Sequence, residues 1–296
     1  MKHNILTKIS VLLLTAGLFS CTEGQPEPDV APNGKIAMNF TFSHPSQSRA
    51  TETSFETGDI VGLFVAEADK PLEIAGNAVN NEALTFTGSV WQSARSLYWD
   101  AGTYNVFGYY PRMNALESTT DQPIEVSTDQ SGAASAGSLS NYEKSDFLFA
   151  SIKGIQATVN PVNMQFRHIM SKVSINLIKG EDFEGDMPEK ATVIIHNTVT
   201  SATVDLTAGV VTKFLHGERK SVIARQDGAV TYSAILVPQR LDNRMPLVEV
   251  LMNGVSYLYE SKFIFKPGIH HIVNLVVDKN PEQLRIEIGG EITDWN

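Results

Sequence analysis

His270 and His271 have the look of a metal-ligand pair, two adjacent imidazoles in an apolar run. Neighbouring side chains of a strand point to opposite faces, so the two cannot close on one ion without a bulge. His168 and His196 stand singly within strand-like runs and read as structural histidines. Ser135 lies between Gly132 and Gly137, but the spacing is not that of a G-x-S-x-G elbow, which needs a sharp strand-to-helix turn. P-loop, dinucleotide-binding and H-E-x-x-H patterns are absent from the sequence. Glu181 and Asp182 sit in a turn-like stretch, 180–188, and read as solvated acids. Glycoside hydrolysis needs two carboxylates converging from different strands, which leaves no linear signature. A surface hydrolase is therefore retained only as the third of three function classes. Trp91, Trp99, Tyr109, Tyr110, Tyr257 and Tyr259 could stack on sugar rings, though strand aromatics more often fill cores or cross-strand pairs. These residues predict a protein that is not an enzyme and uses no metal or cofactor.

The single thiol is better placed for chemistry. Lys2 and Lys8 give a basic start, residues 9–18 are almost unbroken apolar sequence, and Leu18-Phe19-Ser20-Cys21 follows. The run is too short to remain in a bilayer as a spanning helix and reads as the core of a signal peptide, residues 1–20. Its ending resembles a bacterial lipobox, in which the cysteine thiol accepts diacylglycerol and becomes the new N-terminus. Cys21 is thus the expected lipidation site, palmitate included. Each buried acyl methylene contributes about 0.8 kcal/mol, enough in sum to hold a folded domain at a membrane surface. Nothing after Cys21 approaches the length of a spanning helix, so the protein is expected to be anchored to a membrane and not to cross it.

With 296 residues, 42% of them hydrophobic and 19% charged, the chain can bury one large core or two ordinary ones. Loss of residues 1–20 removes two lysines and no acid, leaving 21 basic against 33 acidic residues, a net charge of −12. That balance argues against nucleic acid as a partner, because phosphate neutralisation needs clustered Lys and Arg. One cysteine excludes an internal disulfide framework and a Cys-rich zinc site.

The elements that follow are strands. Residues 22–33 are polar, with Pro26, Pro28 and Pro32, and read as an extended tether. Ile36, Met38, Phe40 and Phe42 then alternate with Ala37, Asn39 and Thr41, the period of a strand with one apolar face. A polar loop, 44–51, comes next. Further strands are predicted over 60–65, 83–87, 103–110, 146–150, 162–168, 172–178, 192–196, 202–206, 221–225 and 231–237. Asn253-Gly254 predicts a type I′ hairpin between 247–252 and 255–260. Lys266-Pro267-Gly268 suits a type II turn into 270–277. Strands at 284–288 and 292–295 close the chain, and no amphipathic helix of three turns is apparent. So many short strands predict an all-β chain of two antiparallel sandwiches in tandem. The expected divisions are a lipidated tether with a removable N-terminal strand (21–49), an N-terminal domain (50–160) and a C-terminal domain (161–296), with a boundary near Pro161. The stretch 131–140, rich in Ser, Gly and Ala, is expected to be a flexible loop within the first.

Taken in order, several segments resemble the fimbrillin family, the lipoprotein-derived subunits of type V pili. They are Gly58-Asp59-Ile60-Val61-Gly62-Leu63-Phe64, Tyr104-Asn105-Val106-Phe107-Gly108-Tyr109-Tyr110-Pro111 and Ser145-Asp146-Phe147-Leu148-Phe149-Ala150. Phe166-Arg167-His168-Ile169-Met170-Ser171-Lys172-Val173, Phe265-Lys266-Pro267-Gly268 and the closing Ile292-Thr293-Asp294-Trp295 complete the series. The resemblance implies transthyretin-like sandwiches, other fimbrial subunits as partners, and location at the cell outer membrane and then in an extracellular fimbrium. It also implies cleavage by an arginine-specific protease, which maps onto Arg49-Ala50, and polymerisation by donor-strand exchange. The strand bearing Ile36, Met38, Phe40 and Phe42 is the element such a cut would free. The sequence ends at Asn296 without an obvious further segment to donate, which leaves stalk, anchor and tip positions all open. The alternative class is a monomeric, lipid-anchored surface protein that binds a glycan or host ligand.

Overall fold

The computed structural model describes residues 34–45 and 54–279, together with the backbone of two short strands beyond them. The chain opens with β1 (Ile36–Ala37) and β2 (Phe40–Ser43). It continues through β3 (Ile60–Glu67), β4 (Val79–Phe86), β5 (Trp91–Ser93), β6 (Tyr98–Trp99), β7 (Thr103–Tyr110) and β8 (Gln122–Glu125). A short helix, α1 (Asn141–Ser145), precedes β9 (Leu148–Gln156), β10 (Val162–Gln165) and β11 (Arg167–His168). Then come β12 (Ser171–Lys179), β13 (Thr192–Val199), β14 (Ser201–Asp205), β15 (Val210–Lys213), β16 (Arg219–Ile223), β17 (Arg225–Gln226) and β18 (Thr231–Leu236). The last are β19 (Gln239–Met252), β20 (Val255–Phe265), β21 (Ile269–Val277), β22 (Arg285–Glu287) and β23 (Thr293–Asp294). The protein is all-β, as its composition of short strands predicts.

The first half is built on a six-stranded sheet, β11-β9-β7-β3-β4-β5. Val61, Leu63 and Val65 of β3 enter one apolar cluster, whereas Phe64 and Ala66 enter another on the opposite face. A strand covered on both sides needs apolar residues at consecutive positions, which is why β3 reads IVGLFVAE without alternation. In the second half, sheet β17-β18-β12-β21-β22 packs against sheet β16-β13-β19-β20. Val173, Ile175 and Leu275 from the first of these meet Val193, Val250 and Phe265 from the second in one core. Most ladders are antiparallel. Among the described residues two run parallel, β2 with β10 and β12 with β21.

The halves share more than a linker. The cluster on the second face of β3 contains Phe64, Tyr109 and Phe149 together with Met170, Val204 and Ile235. Strand β8 pairs with β14, and β10 and β11, which follow Pro161, pair with β2 and β9. Gln130, fully buried, donates from its amide to the carbonyl of Ile235 and accepts from the Ile235 N–H, at 2.8 and 2.9 Å. Arg225 lies 3.6 Å above the Tyr142 ring, a cation–π contact that joins the halves again.

Turn chemistry follows the sequence. Asn253 and Gly254 both hold positive φ, 50° and 76°, as a type I′ turn requires, and Gly268 holds φ 65°. Gly62 is required for a different reason. Tyr109 lies across from it, and a Cβ there would sit 2.3 Å from the tyrosine Cε1. Tyr109 cannot easily yield, because it stacks on Phe147 at 5.7 Å and donates to Asn81 Oδ1 at 2.7 Å. Gly62→Ala is therefore expected to destabilise the fold by about 1–3 kcal/mol, the usual cost of overpacking, read as a lower urea midpoint.

Candidate functional site: the N-terminal strand and its groove

Alternation at the N-terminus becomes burial in the structure. Met38, Phe40 and Phe42 are buried, Ile36 is half-buried, and Asn39, Thr41 and Ser43 face solvent. The strand divides at Met38-Asn39 because its two parts have different partners. Strand β1 lies antiparallel to β6, with Ile36 opposite Trp99, and Met38 N–H donates to Leu97 O at 2.8 Å. Strand β2 lies parallel to β10, with Phe40 opposite Val162 and Phe42 opposite Met164. Backbone bonds from Val162 N–H to Asn39 O (2.8 Å) and from Phe166 N–H to Ser43 O (3.0 Å) hold its ends. The Thr41 hydroxyl donates to the Asn163 side-chain oxygen beside them.

The inward side chains close an aromatic core. The Phe42 ring lies 4.8 Å from Trp91 and 5.5 Å, edge-on, from Phe166, and Phe40 lies 6.3 Å from Trp99. Phe55 continues the cluster against Phe166 and Trp91. Among the described residues β2 pairs with β10 alone. On its other side, beside the Phe42–Trp91 contact, opens a cleft of about 660 Å³ lined also by Leu84 and Phe86. The groove thus grips the strand by backbone bonds to β6 and then to β10, and by a row of buried rings. Of the aromatics considered for sugar stacking, Trp99, Tyr109, Tyr110 and Tyr257 are buried in cores. Cys21, Arg49 and Ala50 lie outside the described residues, whose nearest members to the processing dipeptide are Pro45 and Ser54.

The four histidines singled out in the sequence, His168, His196, His270 and His271, are each held by neighbouring side chains or backbone. His270 and His271 do point apart. His270 Nε2 meets Ser174 Oγ at 2.7 Å, whereas His271 Nε2 accepts from Lys266 N–H at 3.1 Å beneath Phe263. His168 Nδ1 lies 2.9 Å from Asp146, and its ring meets His44, just past β2, edge-on at 5.6 Å. His196 is not the isolated residue that its surroundings in sequence suggest. It contacts Ser221 Oγ at 2.7 Å and Glu249 Oε2 at 2.8 Å, while Ser256 donates to Glu249 Oε1 at 2.6 Å. These four residues lie on β16, β13, β19 and β20, adjacent strands, and form a polar row stitching one sheet. A serine, a histidine and a glutamate on strands far apart in sequence gave no spacing from which to find it.

Burial pushes His270 and His271 down to about 4, helped by Lys172 near the first and Lys266 near the second. Burial also lowers His44, with His168 adding to the shift. Each depressed value means that the unfolded chain takes up protons first as the pH falls below 6.5. Stability from His270 and His271 is complete above pH 6.5 and drains away towards about pH 4. The urea midpoint is expected to fall between pH 7 and 4.5. His270→Gln with His271→Gln should flatten that slope, and an unchanged slope would show that other groups carry it.

The fold and the groove together define a class, an all-β protein whose amino-terminal strand completes the core of its own first half. A family model described as fimbrillin-like matches residues 48–295. The chain belongs to the fimbrillin-like family. The proposed fimbrium subunit Fim1C of Bacteroides uniformis is 22% identical over 301 residues, covering 97% of this chain and 94% of that one. A crystal structure from B. uniformis, provisionally assigned to cell adhesion, has a TM-score of 0.69 at 18% identity and covers 90% of this chain and 100% of its own. Another with the same assignment, from Bacteroides ovatus, has a TM-score of 0.70 at 20% identity, covering 88% and 98%. At these identities the structural likeness establishes the shared fold.

Proposed function

We propose that this chain is a structural or adhesive subunit of a surface fimbria of the type V pilus kind. In this reading it is exported as a lipoprotein through Cys21, held at the outer membrane, cleaved after Arg49 and joined to other subunits by strand exchange. The observation that carries the reading is the groove around Phe40 and Phe42. It is filled by a strand that precedes the processing dipeptide and, among the described residues, bonds to β6 through β1 and to β10 through β2. Family membership and the fimbrium subunit among the relatives support it. Removal of the strand would leave the backbone of β10 unpaired and an apolar channel open, which is the receptor geometry for β-strand addition. The two halves serve as the paired sandwiches of such a subunit, with the tether of residues 22–33 as the membrane spacer. Among the described residues no helix is long and apolar enough to cross a membrane, in keeping with attachment through lipid.

Electron microscopy of cells with and without this chain tests the reading. Filaments, or ladders that survive mild denaturant, should be present only with it. Glycan binding by a monomer on cells that show no filament would favour the surface-receptor alternative.

A further inference from the structure

Strand β20 is the last in its four-stranded sheet and is eleven residues long. It bonds to β19 on one side, and among the described residues no strand lies on the other. An unpaired edge of that length is a template for another strand, which natural sheets ordinarily block with charge, proline or a bulge. Strand β20 does carry charge, at Glu260 and Lys262, but in a pattern that complements itself. About Ser261 its residues are chemically symmetric. Glu260 mirrors Lys262, Tyr259 mirrors Phe263, Leu258 mirrors Ile264, and Tyr257 mirrors Phe265. On the solvent-facing row, Leu258 and Ile264 are 43% and 46% exposed.

We propose that a second copy of this chain docks antiparallel along β20, about a two-fold axis at Ser261, and joins the two sheets into one. In that register each Glu260 faces the other copy's Lys262, and each Leu258 covers the other's Ile264, so charge and apolar surface are both matched twice. The neighbouring registers that keep the same faces together fail. One sets Glu260 against its own copy, and the other does so with Lys262, since opposed like charges across a ladder are destabilising. A slip that exchanges faces sets the exposed row against the half-buried ring row. Glu260 also lies 3.6 Å from Arg244 within its own sheet, a surface pair that leaves the carboxylate accessible. Symmetry of this kind suits a closed, isologous pair, in which the same patch serves both partners. The contact is separate from the N-terminal groove and does not depend on strand exchange.

Ser261→Cys in the full chain, displayed on cells and mildly oxidised, should give a disulfide-linked dimer, because the two side chains meet at the axis. Ser256→Cys, placed opposite Lys266 of the other copy, should give none. Adding Glu260→Lys to Ser261→Cys should reduce the dimer at least tenfold. Adding Lys262→Glu as well should restore it to within about twofold. Absence of a dimer at position 261, equal cross-linking at 256, no loss with Glu260→Lys, or failure of the double exchange to restore it would each overturn the proposal.

Discussion

Replacing Arg49 by alanine is expected to leave the chain uncleaved, monomeric and absent from any polymer. The expectation rests on what lies on either side of that residue. Before it, Ile36, Met38, Phe40 and Phe42 direct apolar side chains into the first core. After it, the fold resumes with Phe55 and the central strand β3. Burial of a large apolar side chain contributes about 1.5–3 kcal/mol, so the three buried ones contribute roughly 4.5–9 kcal/mol, and half-buried Ile36 adds to that. That rivals the whole net stability of an ordinary domain, about 5–15 kcal/mol. While the backbone is continuous, the strand rebinds its groove faster than a competitor can enter, because a tethered segment acts at high effective concentration. A cut at Arg49 ends that advantage. Ladder formation and N-terminal sequencing check the result, with Ala50 expected as the new terminus of the wild-type chain. Arg49→Lys should behave as Arg49→Ala if the protease is arginine-specific. Polymer from Arg49→Ala with residues 21–49 still attached would overturn the processing model.

Phe42→Ala should lower the stability of the uncut chain by about 3–5 kcal/mol, the range for removing a buried phenylalanine. The upper part of that range applies, because Phe42 touches Trp91, Phe166 and Phe40 and adjoins a cleft. The void it leaves would merge with existing space and could not be filled by collapse. Phe40→Ala should act similarly, and the two should not add, because their rings stand 6.2 Å apart. If the strand leaves on assembly, as the processing model has it, the same substitutions should leave an assembled polymer unaffected. Urea unfolding of uncut chain and of polymer, compared side by side, gives the measurement. A loss below 1 kcal/mol in the uncut chain would mean that β2 is not part of the working core.

How much of this was legible depends on what burial demands of each element. The alternation from Ile36 to Phe42 announced a strand with one apolar face, and Met38, Phe40 and Phe42 are buried accordingly. Its division into β1 and β2, and its parallel pairing with β10, were not readable, because alternation carries neither direction nor partner. Strands β3 and β7 stood out as apolar runs, and Asn253-Gly254 marked its hairpin. Strands β5, β6 and β8 went unread, since they have three, two and four residues, and β8 contains Pro123. Proline is tolerated there because β8 is the edge of its sheet. Strand β19 is longer than its predicted core, 247–252, because bulges around residues 241–248 carry the pairing past Pro246. Alternation in Val162 and Met164 pointed to a strand, but not to its use in the first core instead of the second.

The apolar cluster shared by the halves has a mechanical consequence. Opening an angle between them would bare Phe64, Tyr109, Met170 and Ile235 to water and pull Gln130 from the backbone of Ile235. Each subunit should therefore carry tension and torque as one stiff segment, with no internal hinge. In a filament of such segments, compliance would reside at the joints, and bending under fluid shear would be shared among them while each core stayed closed.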